Sequence, residues 1–130
     1  MIDLRGVLAV MLGGSIGSVA RYVVGALFVQ RFGPGFPYGT LAINLVGCFA
    51  IGIVAQLAQT RALGISPTVR LFLAVGLCGG FTTFSSFAYE TVTLVGDGAT
   101  ALAFLYIGLS VVVGVLAAFA GAALTRLAGG

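Results

Sequence analysis

Four long apolar runs, parted by three short breaks of polar residues, glycine and proline, account for most of the chain. The first extends from about Leu4 to Gln30 and the second from about Tyr38 to Thr60. The third runs from about Val69 to Val95 and the fourth from about Ala99 to Leu127. Each is at least as long as the roughly 20 apolar residues an α-helix needs to cross a bilayer. Between the first two, Arg31 to Pro37 holds Gly33, Pro34, Gly35 and Pro37 and reads as a tight loop. Arg61 to Thr68, with Gly64 and Pro67, reads as a polar connection, and Gly96-Asp97-Gly98 as a short turn. No repeat or low-complexity tail breaks the pattern. It predicts an all-α membrane protein, a single four-helix transmembrane domain over residues 1–130.

The third run departs from the others at its centre. Gly79-Gly80 is followed by Phe81-Thr82-Thr83-Phe84-Ser85-Ser86-Phe87. Adjacent glycines and a cluster of hydroxyl residues form a poor helix interior, while Thr and Ser offer the side-chain oxygen of an N-cap. The pattern predicts two half-helices with an unwound stretch near Gly79 to Thr83. A continuous helix, its glycines serving close packing, is the competing reading. Irregular backbone survives at membrane depth only where it is buried in protein or lines a cavity. Its carbonyls can hold a cation there, and the second half-helix turns a partly positive N-terminus toward an anion.

Composition sharpens this picture. Of 130 residues, 60% are hydrophobic and 7% charged, against roughly 25% charged in soluble domains, so lipid must cover most of the outside. Net charge is +3, from six dispersed arginines and three acids. The absence of a basic run argues against a nucleic-acid partner. The sequence has no histidine, hence neither the commonest metal ligand nor the usual proton shuttle. Cys48 and Cys78 match no zinc or redox spacing and read as small packing residues. Together with a Gly-Gly stretch that lacks a phosphate-loop lysine, these features argue against an enzyme. Arg5, the apolar stretch and Ser18-Val19-Ala20 imitate a secretory signal. Asp3 and the interrupting Gly13, Gly14 and Gly17 favour a retained first span.

The few polar groups within the spans are the functional candidates, because each is costly there. Arg21 shares a helix face with Gly13 and Gly17, which admit a second backbone. It either concentrates anions at a pore mouth or reaches the membrane surface. Asn44, one turn from Thr40 and from Cys48, can donate its amide N–H to an anion or bridge two helices. Phe84, Phe87 and Glu90 recur every three residues on one face, and aromatic rings present a positive edge. Glu90 could carry a proton or pair with an arginine. Tyr106, Ser110 and Gly114 form a stripe spaced by four, as a polar path or a packing surface requires.

Read together, three motifs carry a resemblance. They are Gly13-Gly14-x-x-Gly17-x-x-x-Arg21-Tyr22, Pro37-x-Gly39-Thr40-x-x-x-Asn44-x-x-Gly47 and Gly79-Gly80-Phe81-Thr82-Thr83-Phe84-Ser85-Ser86-Phe87-x-x-Glu90. In this order they resemble the Fluc (CrcB-type) fluoride channels. The resemblance implies an antiparallel, dual-topology dimer in the cell (inner) membrane, with two pores each built from both subunits. It implies passive fluoride export, with Asn44, Phe84 and Phe87 contacting fluoride and the Tyr106 and Ser110 stripe lining a polar track. Thr83 and Arg21 join this candidate pore set. It further implies one buried structural sodium ion, held by backbone carbonyls of Gly79 and Thr82 from both subunits.

Topology adds a complication. Four spans place Arg5, Arg61, Arg70 and Arg126 on one side and Arg31 on the other, so the positive-inside rule favours one orientation. The partner is therefore either a second copy or an oppositely oriented paralogue, with the homodimer favoured. Rival readings are a proton-coupled exporter like the small multidrug resistance family, which needs a carboxylate in its first helix, and a non-transporting assembly subunit. The first span offers Arg21 instead of that carboxylate. An assembly role leaves Thr82, Thr83, Ser85 and Ser86 unexplained.

Overall fold

The computed structural model describes residues 3–59 and 64–128. Four helices in it are long and apolar enough to cross a membrane. Helix α1 is Leu4–Phe32 and α2 is Tyr38–Gln59. The third span, Pro67–Gly96, is split into α3 (residues 67–81) and α4 (Phe84–Gly96). Helix α5 covers the fourth span, Thr100–Ala128. The expected end of the second span at Thr60, and Arg61 beyond it, lie outside the described residues. Among the described residues there is no strand.

Local chemistry sets the ends of these helices. Gly33, at φ 75°, ends α1 in a conformation other residues rarely adopt, and its N–H donates to the Val29 carbonyl at 2.9 Å. The third span begins two residues earlier than expected. Ser66 caps it by accepting the Val69 N–H at 3.3 Å, and Pro67 stands where a helix needs no amide hydrogen. The expected turn at Gly96 to Gly98 closes on Gly98, also at positive φ, with the Ala99 N–H donating to the Leu94 carbonyl at 2.8 Å.

Small residues bring the helices together. Gly13 and Gly17 of α1 lie against the backbone of α3 around Phe72 and Leu77, and Gly80 of α3 lies against Gly14. A methyl group at Gly80 would come within 2.6 Å of the Gly14 carbonyl oxygen. On the other side of the bundle, Gly52 of α2 meets the Ala118 carbonyl and Gly121 of α5 meets the Phe49 carbonyl. Close backbone approach is a main source of helix association in lipid, where burial of apolar surface gives no net drive. The outer faces stay apolar and exposed, with Leu12, Phe104, Phe119 and Leu127 among them. The buried cluster is small: Phe87, Leu94, Ala103 and Tyr106, flanked by Phe36 and Leu41. At one end of the bundle the Arg126 Nε donates to the Gln56 Oε1 at 2.9 Å, tying α5 to α2.

The break in the third span is present but narrower than the sequence suggests. Gly79 to Phe81 remain helical, and only Thr82 (φ −78°, ψ 159°) and Thr83 (φ −151°, ψ 114°) are extended. Packing overrides propensity here, because Gly80 is needed in helical geometry against α1. The preceding backbone also widens, with π-helical geometry over Leu71–Cys78, and α5 does the same over Leu109–Val113. Such widenings occur frequently at functional sites.

Candidate functional site

The site is built around two extended residues. Thr83 caps α4: its Oγ1 accepts the Ser86 N–H at 3.1 Å and donates to the Ser86 Oγ at 3.0 Å. Thr82 closes α3 from the other side, its N–H and its Oγ1 both donating to the Cys78 carbonyl at 2.9 Å. Asn44 of α2 then bridges the gap. Its Nδ2 donates to the Thr83 carbonyl at 3.0 Å, and its Oδ1 accepts the Thr83 N–H at 2.8 Å. One amide thus replaces both helical partners of a residue that is only 7% exposed. Asn44 is the helix bridge that the sequence allowed, placed directly beside the candidate pore residues.

These bonds have a further consequence for the carbonyls. In an unbroken helix the Thr83 N–H would donate to Gly79 and the Ser86 N–H to Thr82. Both donors are committed elsewhere, to Asn44 and to the Thr83 hydroxyl. The Gly79 and Thr82 carbonyls therefore lose those helical partners.

A cavity of about 340 Å³ opens beside the break. Asn44, Thr82, Thr83, Gly79, Phe84, Phe87 and Ser110 all line it. The Ser110 Oγ is buried and has no hydrogen-bond partner among the described residues, which leaves its donor and acceptor capacity unused there. The rings of Phe84 and Phe87 lie 5.4 Å apart at 52°. Phe87 is 8% exposed, whereas Phe84 is 77% exposed at the surface of the single chain.

Behind Phe87 the surroundings become more polar. Tyr106, completely buried, meets Phe87 edge-on at 5.1 Å and Phe36 at 5.5 Å. Its hydroxyl donates to the Glu90 Oε2 at 2.7 Å, and the Thr40 Oγ1 donates to the Glu90 Oε1 at 2.6 Å. Among the described residues Glu90 is thus held by two hydroxyls rather than by an arginine. Thr40 and Glu90 line a second cavity of about 380 Å³ that reaches Thr93 and Asp97 at the turn. Arg21 stands apart from both, in a third cavity of about 470 Å³ that it shares with Thr40, Thr83 and Ser86. That cavity therefore extends from α1 to the N-terminal end of α4.

The family model for CrcB-like protein, Camphor Resistance (CrcB), matches residues 8–122. The chain belongs to this CrcB family. Three relatives illustrate the likeness, each named "Fluoride-specific ion channel FluC". That of Agrobacterium fabrum is 52% identical over 114 residues, covering 88% of this chain and 90% of its own. That of Chlorobium phaeobacteroides is 49% identical over 115 residues, 88% of each chain. That of Chloroflexus aurantiacus is 46% identical over 127 residues, 98% of this chain and 100% of its own.

In this CrcB chain every candidate from Arg21 to Ser110 falls inside the matched residues. Its four membrane-crossing helices make it a multi-pass membrane protein, and family membership sets aside the small multidrug resistance reading. Sequence reasoning missed the Thr40–Glu90–Tyr106 chain. The signal was present: Thr40 shares a face with Asn44 one turn on, and Glu90 continues the face of Phe84 and Phe87. The pairing across three helices needed the fold.

Proposed function

We propose that this chain is the subunit of a channel that passes fluoride selectively and passively across a membrane. The observation that carries the reading is the unpartnered Ser110 hydroxyl, buried in the cavity that also holds Phe84 and Phe87. The name shared by the relatives supports the choice of ion. Fluoride is small and strongly hydrated, so a path must replace its water with closely placed donors while binding weakly enough to let go. A hydroxyl, ring edges and the N-terminal end of α4 offer partial charges only. Arg21, lining the neighbouring cavity with Thr83 and Ser86, supplies a full positive charge there and draws anions toward the break. Beyond Phe87, the Tyr106 and Thr40 hydroxyls on Glu90 continue the polar path toward the second cavity.

The same reading extends to assembly. One chain leaves Phe84 77% exposed, and a single four-helix subunit is too small to enclose a polar path and cover it. An antiparallel homodimer, each partner closing the other's cavity, answers both needs. An oppositely oriented paralogue would do so equally, and expression of this chain alone separates the two. We read residues 1–130 as one domain within that assembly. The carbonyls of Gly79 and Thr82, released from their helical donors, are hard oxygen ligands suited to a structural sodium ion at the dimer centre. A cation there would neutralise carbonyl dipoles converging from two subunits.

Efflux from liposomes containing the purified protein tests the function. Fluoride should leave quickly and chloride barely. Equal chloride flux, or fluoride flux that depends strictly on a proton gradient, would overturn the reading.

A further inference from the structure

The break is held from one face of α2. Asn44 bonds to Thr83, and Gly47, three residues on and so on the same face, meets Thr82. A β-carbon built on Gly47 would fall deep inside van der Waals contact with the Thr82 Cγ2 methyl. The next nearest atoms, Phe81 Cδ1 and Thr82 Cβ, would sit at an ordinary 3.6 Å. Gly47 thus differs from Gly52 and Gly121, where an added carbon would strike the backbone of another helix. Here a single side-chain methyl fills the place a larger residue would take.

That methyl has little freedom to move. Thr82 is β-branched, so few side-chain rotamers are open to it. Its Oγ1 is already bonded to the Cys78 carbonyl at 2.9 Å, which fixes where Cγ2 points. Turning Thr82 away from α2 would break that bond. Moving α2 outward instead would pull Asn44 off Thr83, one turn away.

We propose that Gly47 is a positioning residue: it is the seat for the Thr82 methyl and so sets the geometry of the break beside the anion path. The link to transport rests on the channel reading above. Gly47 touches no ion and acts only through Thr82.

The test measures the penalty of Gly47→Ala twice, in the natural chain and in a chain carrying Thr82→Ser, which lacks the methyl but keeps the hydroxyl. Two readouts are used: fluoride efflux from liposomes, and backbone hydrogen exchange of the peptide covering residues 82–86 in detergent. In the natural chain Gly47→Ala should slow efflux about tenfold or more and raise exchange, as overpacking at a tight contact does. In the Thr82→Ser chain the same substitution should cost less than roughly threefold, because the only close contact has gone. Equal penalties in both chains, or none in the natural one, would overturn the proposal. If Gly47→Ala prevents folding, recovery of folded protein on adding Thr82→Ser supports the seat, and failure to recover refutes it. A wild-type protein that passes no fluoride, with the exchange penalty still confined to the Thr82 chain, would sink the channel reading and leave the seat standing. Normal wild-type flux with equal penalties would do the reverse.

Discussion

Replacing Asn44 with alanine removes both hydrogen bonds that tie α2 to the break. The Thr83 N–H and carbonyl would lose partners at 2.8 and 3.0 Å in a residue that is 7% exposed. A buried backbone group left without a partner costs about 1–3 kcal/mol, so two such groups set a range of about 2–6 kcal/mol. The adjoining cavity of about 340 Å³ is polar at this edge and roomy enough for water to substitute. The low end is therefore the expectation, about 2 kcal/mol, or a roughly 30-fold shift in the equilibrium that keeps the break closed. The Thr83 amide reads this directly, since its hydrogen is the one Asn44 holds. Its exchange protection should fall by about that factor in Asn44→Ala, with fluoride efflux reduced alongside. Asn44→Asp gives the internal control. It keeps an acceptor for the Thr83 N–H but loses the donor to the carbonyl, and its carboxylate faces the proposed anion path. Efflux should fall sharply there while the amide stays better protected than in Asn44→Ala. Unchanged Thr83 exchange in Asn44→Ala would refute the bridging role.

Phe84→Ile should cut fluoride efflux sharply at little cost to folding, because that ring is exposed on the single chain; wild-type flux in dimers confirmed by size-exclusion chromatography would remove its edge from the mechanism. Phe87→Ile should cut efflux as well and lower thermal stability by about 0.5–1.5 kcal/mol through loss of the edge-on contact with Tyr106. Ser110→Ala should leave stability unchanged or raise it, since a buried unpartnered hydroxyl is removed, yet should slow efflux; a stability loss with normal efflux would show a packing role instead. Replacing sodium with a large organic cation during purification should weaken dimers, as read by size-exclusion chromatography, and indifference to the cation would count against a sodium ion at Gly79 and Thr82.

The spans were legible because a bilayer imposes one demand on every residue it touches, and that demand leaves long apolar runs. Helix ends were legible to within about two residues: Gly33 and Gly98 carry local turn chemistry, whereas the cap at Ser66-Pro67 was read as part of the connection and the start placed at Val69. The break was legible in kind but not in extent. Gly79-Gly80 looks like the flexible part when read alone, and what keeps it helical is α1, whose Gly14 is 66 positions before Gly80. The candidate site divides in the same way. Phe84, Phe87 and Thr83 are neighbours in sequence, so their common face could be read directly. The hydroxyl clasp on Glu90 joins residues 50 and 16 positions away. No local pattern distinguishes it from a carboxylate awaiting an arginine.

The two threonines divide the polarity of the third span. Thr82 spends its donors on Cys78, and Thr83 captures the Ser86 amide, in the first turn of α4, with its own hydroxyl. Asn44 then supplies the remaining donor and acceptor to Thr83. What remains unmatched is unequal. Toward the end of α3, the Gly79 and Thr82 carbonyls are left without their helical amides, so the backbone there is electronegative. Toward the start of α4, 13 residues long, amide dipoles align with their positive end at the break. The same break therefore favours a cation on one side and an anion on the other, without placing an acidic side chain at either. A lysine in place of Asn44 would serve the anion better in a static sense. It would also lose the acceptor that holds the Thr83 N–H and bring a full charge to the proposed path, which must release its ion. An uncharged amide keeps the backbone open while leaving the attraction to the N-terminal dipole of α4, the ring edges and the Ser110 hydroxyl, each weak enough for an ion to leave.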